Sequence, residues 1–208
     1  HDRALEGERV HGLEHVLQRH VEPVMSERCT GCFRAEPERG RDLCQLCAMA
    51  GIWNLSAIVA MTRDGLLSVG NHMPWSCPQD MGRFRAVTRG KRVIMGKRTW
   101  DALPTAPLKD RKNVVLSRTA HDLPGAQVVS ETDSMHYGLV MGGAEVYRLM
   151  LERCKYVFVT WIPDGLVQAK AGHKTLFSLD LMALFPHTIT THTGADQVVY
   201  ETRRNLGR

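Results

Sequence analysis

Apolar positions along this chain fall into two textures that meet near Asn54. Before it, Val10, Leu13, Leu17 and Val21 recur at steps of three and four, which predicts one helix from about residue 4 to 21, ended by Pro23. From Arg28 to about Trp53 apolar residues are too sparse to fold unaided. Beyond Asn54, short continuous apolar runs predict buried strands at 55–61, 92–95, 113–117, 126–129, 138–141, 156–162 and 198–203. Helical stretches at 78–89, 99–103 and 144–153 lie between them. Strands that are apolar throughout and alternate with helices predict an α/β domain on a mainly parallel sheet flanked by helices. The expected organisation is a small N-terminal helix and knuckle module over 1–53 and a larger domain over 54–208.

The stretch from Asn71 to Asp80, with Met73-Pro74-Trp75 in its middle, is the most informative. It runs from a loop into a helix start, where Pro78 suits the first helical position because its missing N–H would have had no partner. Asp80 then falls in the first turn, beside Met81 and one turn before Phe84 and Val87. An acid on an apolar helix face is costly to bury without a partner; a flat, nitrogen-rich ligand would be one. Complementing the helix dipole at a solvated surface is an equal alternative at this point.

Two strand-to-helix junctions carry glycine followed by polar or cationic residues: Gly96-Lys97-Arg98-Thr99, and Gly142-Gly143-Ala144-Glu145 with Val146-Tyr147 behind it. A third strand ends in Leu116-Ser117-Arg118-Thr119. Backbone N–H groups at such places favour an anion, although each could be no more than a tight turn. The three together favour the phosphates of a dinucleotide, without the usual G-x-G-x-x-G pattern.

Charge sharpens this division. Up to Asn54 there are 7 basic and 9 acidic residues; the remainder holds 20 and 13, so the net +5 comes from the larger part. An anionic ligand there is expected, and nucleic-acid binding by the small module is not. No apolar run approaches membrane-spanning length, and no secretory segment is apparent near the start, so a cytoplasmic protein without membrane contact is expected. Because position 1 is His, the N-terminus is expected to be trimmed or to carry a tag residue. Cys29-x2-Cys32 and Cys44-x2-Cys47, eleven residues apart, have the spacing of a tetrahedral thiolate site. Structural Zn2+ is the favoured occupant over a disulfide pair or an iron–sulfur cluster.

Taken in order, Ala60, Asn71-x-Met-Pro-Trp75, Pro78-x-Asp80, Val-Ile-Met-Gly-x-x-Thr-Trp100, Arg111-x-Asn-Val-Val-Leu-Ser117, Met-Gly-Gly-x-x-Val-Tyr147 and Thr160 resemble dihydrofolate reductase at nearly that family's spacing. The resemblance spans about residues 55–203 and does not extend to the first fifty. It implies NADPH-dependent reduction of 7,8-dihydrofolate, with hydride transfer to C6 and protonation of N5. Asp80, Trp75, Tyr147 and Thr160 match the catalytic set, with Asp80 gripping the pterin and Thr160 orienting it. Ile58, Val59, Met81, Phe84, Leu103, Leu108 and Met141 match substrate-pocket positions, and Arg111 the guanidinium that clamps the substrate's α-carboxylate. Ala60, Asn71, Met73, Gly96, Lys97, Arg98, Thr99, Leu116, Ser117, Arg118, Gly142, Gly143, Ala144, Glu145, Val146 and Tyr147 match the cofactor side. In the family the two glycines are joined by a cis peptide.

Antifolate inhibitors are implied as further ligands. Ser68 and Lys174 stand where the family usually has Gly and Asp, so the bracing of the mobile loop is expected to differ. Cys77 replaces a larger apolar residue near the substrate. A related reductase of a ribosylated pyrimidine shares the fold and cofactor half, but the Met-Pro-Trp loop and Pro-x-Asp helix argue against it. The N-terminal module is expected to dock a protein or drive self-association rather than to catalyse.

Overall fold

The computed structural model describes residues 50–52, 54–168 and 171–207. The predicted first helix and the four cysteines of the knuckle module lie outside the described residues.

Ten strands and three helices form the described part: β1 (Leu55–Thr62), β2 (Leu66–Val69), α1 (Pro78–Thr88), β3 (Arg92–Gly96), α2 (Lys97–Asp101), β4 (Lys112–Leu116), β5 (Ala126–Val129), β6 (Gly138–Gly142), α3 (Ala144–Met150), β7 (Tyr156–Ile162), β8 (Lys174–Leu176), β9 (His187–Thr193) and β10 (Val199–Arg204). Eight strands make one sheet in the order β5-β4-β3-β6-β1-β7-β10-β9, and β2 pairs with β8 in a separate ribbon. Pairing is parallel from β5 through β7 and antiparallel at β7–β10 and β10–β9.

Alternation along the strands sorts the core onto two faces. On one face Leu55, Ala57, Val59 and Met61 of β1 pack with Ile94, Val140 and the α3 residues Val146, Tyr147 and Met150. On the other, Ile58 meets Leu139, Phe158 and Val87 of α1, and Trp100 of α2 covers Val93, Met95 and Val115. The central strands are covered on both sides, which is why they read as continuous apolar runs. Ala50 already packs with Ile58 and Leu139, and a Cβ at Gly51 would lie 2.7 Å from Leu139 Cγ, so packing begins just before the expected boundary. The run expected to be helical over 144–153 divides into α3 and a 3-10 turn at Leu151–Arg153.

Candidate active site

Asp80 begins the site. Pro78 starts α1 after Cys77, whose side chain makes no cap hydrogen bond, and the first turn carries Asp80. Its side chain turns inward, only 8 % exposed, and accepts a hydrogen bond from Thr160 Oγ1 of β7 at 2.6 Å. A purely dipolar role at a solvated surface is thereby excluded. Burial pushes the Asp80 carboxyl above the ordinary carboxylate range, with the Thr160 hydroxyl and the Arg83 guanidinium pulling the other way.

Arg83 is the residue that the sequence reading missed. The face of α1 expected to be apolar buries Asp80, Arg83, Val87 and Thr88, while Met81 and Phe84 are half-buried beside it. Arg83 Nη1 donates to Thr160 Oγ1 at 2.8 Å and to the Val159 carbonyl at 3.1 Å; Nη2 donates to the Glu201 carbonyl at 3.2 Å. The available signal was the three-residue step from Asp80, which puts both on one helix face.

A cavity of about 330 Å³ opens at this carboxyl, lined by Met73, Trp75, Ser76, Cys77, Pro78, Asp80, Met81 and Arg85. Trp75 is buried against Leu66, Val69, Ile162, Val198 and Tyr200, with Ala60 and Cys77 at the margin of that cluster. Cys77 Sγ lies 3.8 Å from the Tyr200 hydroxyl. Met73 is exposed on the loop, as is Asn71. Backbone bonds tie this loop down: Gly70 N donates to His173 O, Gln168 N to Pro74 O, and β2 pairs Val69 with Lys174. The segment with Ser68 and Lys174 therefore has a main-chain brace that requires no Asp.

Phe84 and Met141 pack around Ile58, Val87 and Phe158, and Met141 also meets the group that holds Leu103 and Leu108. These apolar side chains thus share the sheet face that carries α1. Val59 does not: it is buried in the core on the opposite face, as its position next to Ile58 in a strand requires. Arg111 is braced at the end of α1, donating to Thr88 Oγ1, Arg85 O and Lys109 O. Partial burial lowers its pKa, though not enough to neutralise a guanidinium.

The glycine junctions come together because β3 pairs with β6, Met95 opposite Gly142. The Gly142–Gly143 peptide is cis, and Gly142 has φ +117. Side chains would crowd this cradle: a Cβ at Gly96 would lie 3.1 Å from Val146 Cγ2, one at Gly142 3.3 Å from the Tyr147 ring, and one at Gly143 3.2 Å from Thr99 Oγ1. Tyr147 is buried and donates its hydroxyl to the Ile58 carbonyl at 2.7 Å, linking α3 to β1; burial raises its pKa. Arg98 and Arg118 are exposed, and among the described residues their side chains form no ion pair, whereas Lys97 pairs with Asp101 at 2.7 Å. Glu145 pairs with Arg148 at 2.6 Å and Ala144 is half-buried at the α3 start. Ser117 Oγ accepts from the amides of Thr119 and Ala120, which folds the turn after β4, and Leu116 ends that strand half-buried.

Residues 54–177 match the family model described as dihydrofolate reductase. An alignment of 115 residues is 39% identical to the dihydrofolate reductase of Mycobacterium tuberculosis (strain CDC 1551 / Oshkosh), covering 52% of this chain and 71% of that protein. Over 101 residues the chain is 37% identical to the enzyme of that name from Neisseria meningitidis serogroup A, covering 45% of this chain and 62% of that one. In three dimensions it resembles dihydrofolate reductase from Enterococcus faecalis complexed with NADP(H) and RAB-propyl, with a TM-score of 0.62 at 20% identity over 74% of this chain and 96% of that one.

Proposed function

This chain belongs to the dihydrofolate reductase family, and from that premise we propose that it reduces 7,8-dihydrofolate to 5,6,7,8-tetrahydrofolate with NADPH, using the cavity at Asp80. One observation carries the assignment of roles: a lone carboxyl buried at the floor of a cavity, oriented by a strand hydroxyl and walled by the Met-Pro-Trp loop.

The residues fit the nucleotide on structural grounds. The meeting ends of β3 and β6 expose backbone without side chains at Gly96, Gly142 and Gly143, where a chain of phosphates could approach closely. Arg98 and Arg118 offer exposed cations, which favour a 2′-phosphorylated nucleotide over one without it. When bound, NADPH supplies the hydride that adds to C6; a proton adds to N5, and NADP+ and tetrahydrofolate leave.

The chain's own contribution is positioning and proton control. Asp80 would take the pterin 2-amino group and N3 side chiefly through Oδ2, the oxygen that does not accept from Thr160. Burial raises the Asp80 pKa from its ordinary value, a direction that favours the proton-donating form and suits delivery of a proton toward N5. Ile58, Met81, Phe84, Leu103, Leu108 and Met141 would pack the pterin and aminobenzoate. Arg111, already held by α1, would present its remaining donor capacity to the α-carboxylate. Trp75 and Met73 would shut water out.

The same reading keeps the antifolates as ligands and a cytoplasmic setting; among the described residues no helix is long and apolar enough to cross a membrane. We also propose that Cys29, Cys32, Cys44 and Cys47 hold one structural zinc ion, on the strength of their paired spacing. The module so formed, within 1–53, would dock a protein or a second copy of the chain beside the reductase domain of 54–208. The deciding experiment is an absorbance assay with NADPH and either dihydrofolate or a ribosylated aminopyrimidine. Turnover with dihydrofolate is expected; turnover with the pyrimidine alone would overturn the assignment.

A further inference from the structure

We infer that Arg83 is a positioning residue for this reduction: it commits the Thr160 hydroxyl to donating toward Asp80, and so confines the acid's exchangeable proton to the carboxyl oxygen that meets the ligand. The inference rests on the proposed reaction and refines it.

A guanidinium has only donors, and a threonine hydroxyl has one proton. Arg83 Nη1 donates to Thr160 Oγ1 at 2.8 Å, so that hydroxyl accepts from the arginine and cannot donate back. Its proton is directed to Asp80 Oδ1 at 2.6 Å. Oδ1 is then an acceptor in both states of the acid, and a protonated Asp80 carries its proton on Oδ2. Among the described residues Oδ2 has no hydrogen-bond partner, and Asp80 lines the cavity.

The arginine is fixed well enough to impose this. It is 2 % exposed, and it also bonds the carbonyls of Val159 and Glu201 on two neighbouring strands. The Tyr200 and Phe158 rings lie against it, 5.2 and 5.8 Å from the guanidinium carbon to the ring centres. A threonine without such a neighbour could turn its proton elsewhere.

Charge acts in the same direction. A buried cation one helical turn from the acid favours the ionised carboxylate and offsets part of the cost of its burial. The other groups that face Asp80 do not supply this. Tyr200 of β10 and Tyr147 of α3 are pushed upward by burial and stay neutral, Cys77 is at the cavity wall, and Arg85 is exposed at its rim. The Glu201 side chain is engaged with Trp161 and Arg203.

The test is a titration of the Asp80 carboxyl by isotope-edited NMR in the ligand-free full chain, beside the pH profile of turnover. In Arg83→Met the Asp80 midpoint should rise by about one unit, and the turnover profile should move with it while KM for NADPH holds. Arg83→Lys, which keeps a cation and donors, should recover most of the shift. A folded Arg83→Met protein that titrates like wild type overturns the inference. If that variant does not fold, Thr160→Val decides instead: it spares the Arg83 bonds to Val159 and Glu201, and an unmoved midpoint there is equally fatal. A wild-type chain inert toward dihydrofolate and NADPH would overturn the proposed reaction, whereas the titration reads the relay without turnover.

Discussion

Replacing Asp80 with Asn tests both the chemistry and the electrostatics in one substitution. Asparagine keeps the shape and can still accept from the Thr160 hydroxyl through Oδ1, so the fold has no steric reason to change. What disappears is the ionisable proton. Loss of a positioned acid typically costs about 10²–10⁴-fold, which is roughly 3–5 kcal/mol of barrier; kcat at neutral pH should fall by that factor, with NADPH binding nearly intact. Stability should move the opposite way. The folded-state pKa of Asp80 is raised by burial, so between the unfolded value of 3.8 and the folded one the native protein binds more protons than the unfolded chain. Wild-type stability therefore has a component that is present at acid pH and lost as pH rises through that window. Asp80→Asn lacks this component. Relative to wild type, the variant should gain stability from acid to neutral pH, read as urea midpoints at several pH values. A variant whose relative stability falls as pH rises would show that the anion is net stabilised in the fold, and the burial argument would be wrong. Wild-type turnover in the same variant would remove Asp80 from proton delivery.

Four further outcomes are expected. Tyr147→Phe removes its hydrogen bond to the buried Ile58 carbonyl and should cost about 0.5–1.5 kcal/mol in urea unfolding. Gly142→Ala places a Cβ 3.3 Å from the Tyr147 ring at φ +117 and should raise KM for NADPH well above its effect on KM for dihydrofolate. Arg111→Leu should raise KM for dihydrofolate at least tenfold with a smaller change in kcat, and unchanged Michaelis behaviour would remove it from substrate binding. Metal analysis of the purified chain should find about one zinc per chain, lost when Cys29 and Cys32 are replaced by Ser.

Strand positions in the sheet interior were legible because burial on both faces leaves a run of apolar residues: the predicted 126–129 and 156–162 coincide with β5 and β7. The strands that went unread are those where this pressure is absent. β9, His-Thr-Ile-Thr-Thr-His-Thr, is a largely polar strand at the edge of the sheet, and β2 and β8 are four and three residues long in a ribbon of their own. In the site, Asp80 stood out locally as an acid among apolar neighbours. Its partner could not be found that way, since Thr160 lies 80 positions along the chain and only the family resemblance singled it out. Arg83 escaped because a cation three residues from an acid on a helix reads as a surface pair; only the closure of β7 and β10 over α1 makes it buried.

That closure explains why the acid can be where it is. β7 is the seam of the sheet, parallel to β1 and antiparallel to β10, and Val159 stands opposite both Val59 and Glu201 in the register. Arg83 bonds the carbonyls of Val159 and Glu201, so it straddles a single rung of the ladder, while Thr160, the next residue along, points its hydroxyl at Asp80. A carbonyl oxygen has two lone pairs, which lets the same groups serve the sheet and the guanidinium. The arrangement depends on register: a slip of one residue in β7 would turn Thr160 to the opposite face and leave both Asp80 and Arg83 facing Val159 or Trp161 instead. The Asp80 carboxyl is thus held by strand pairing between distant parts of the chain, and substitutions that loosen the β7–β10 rung should alter the acidity of Asp80 before they unfold the protein.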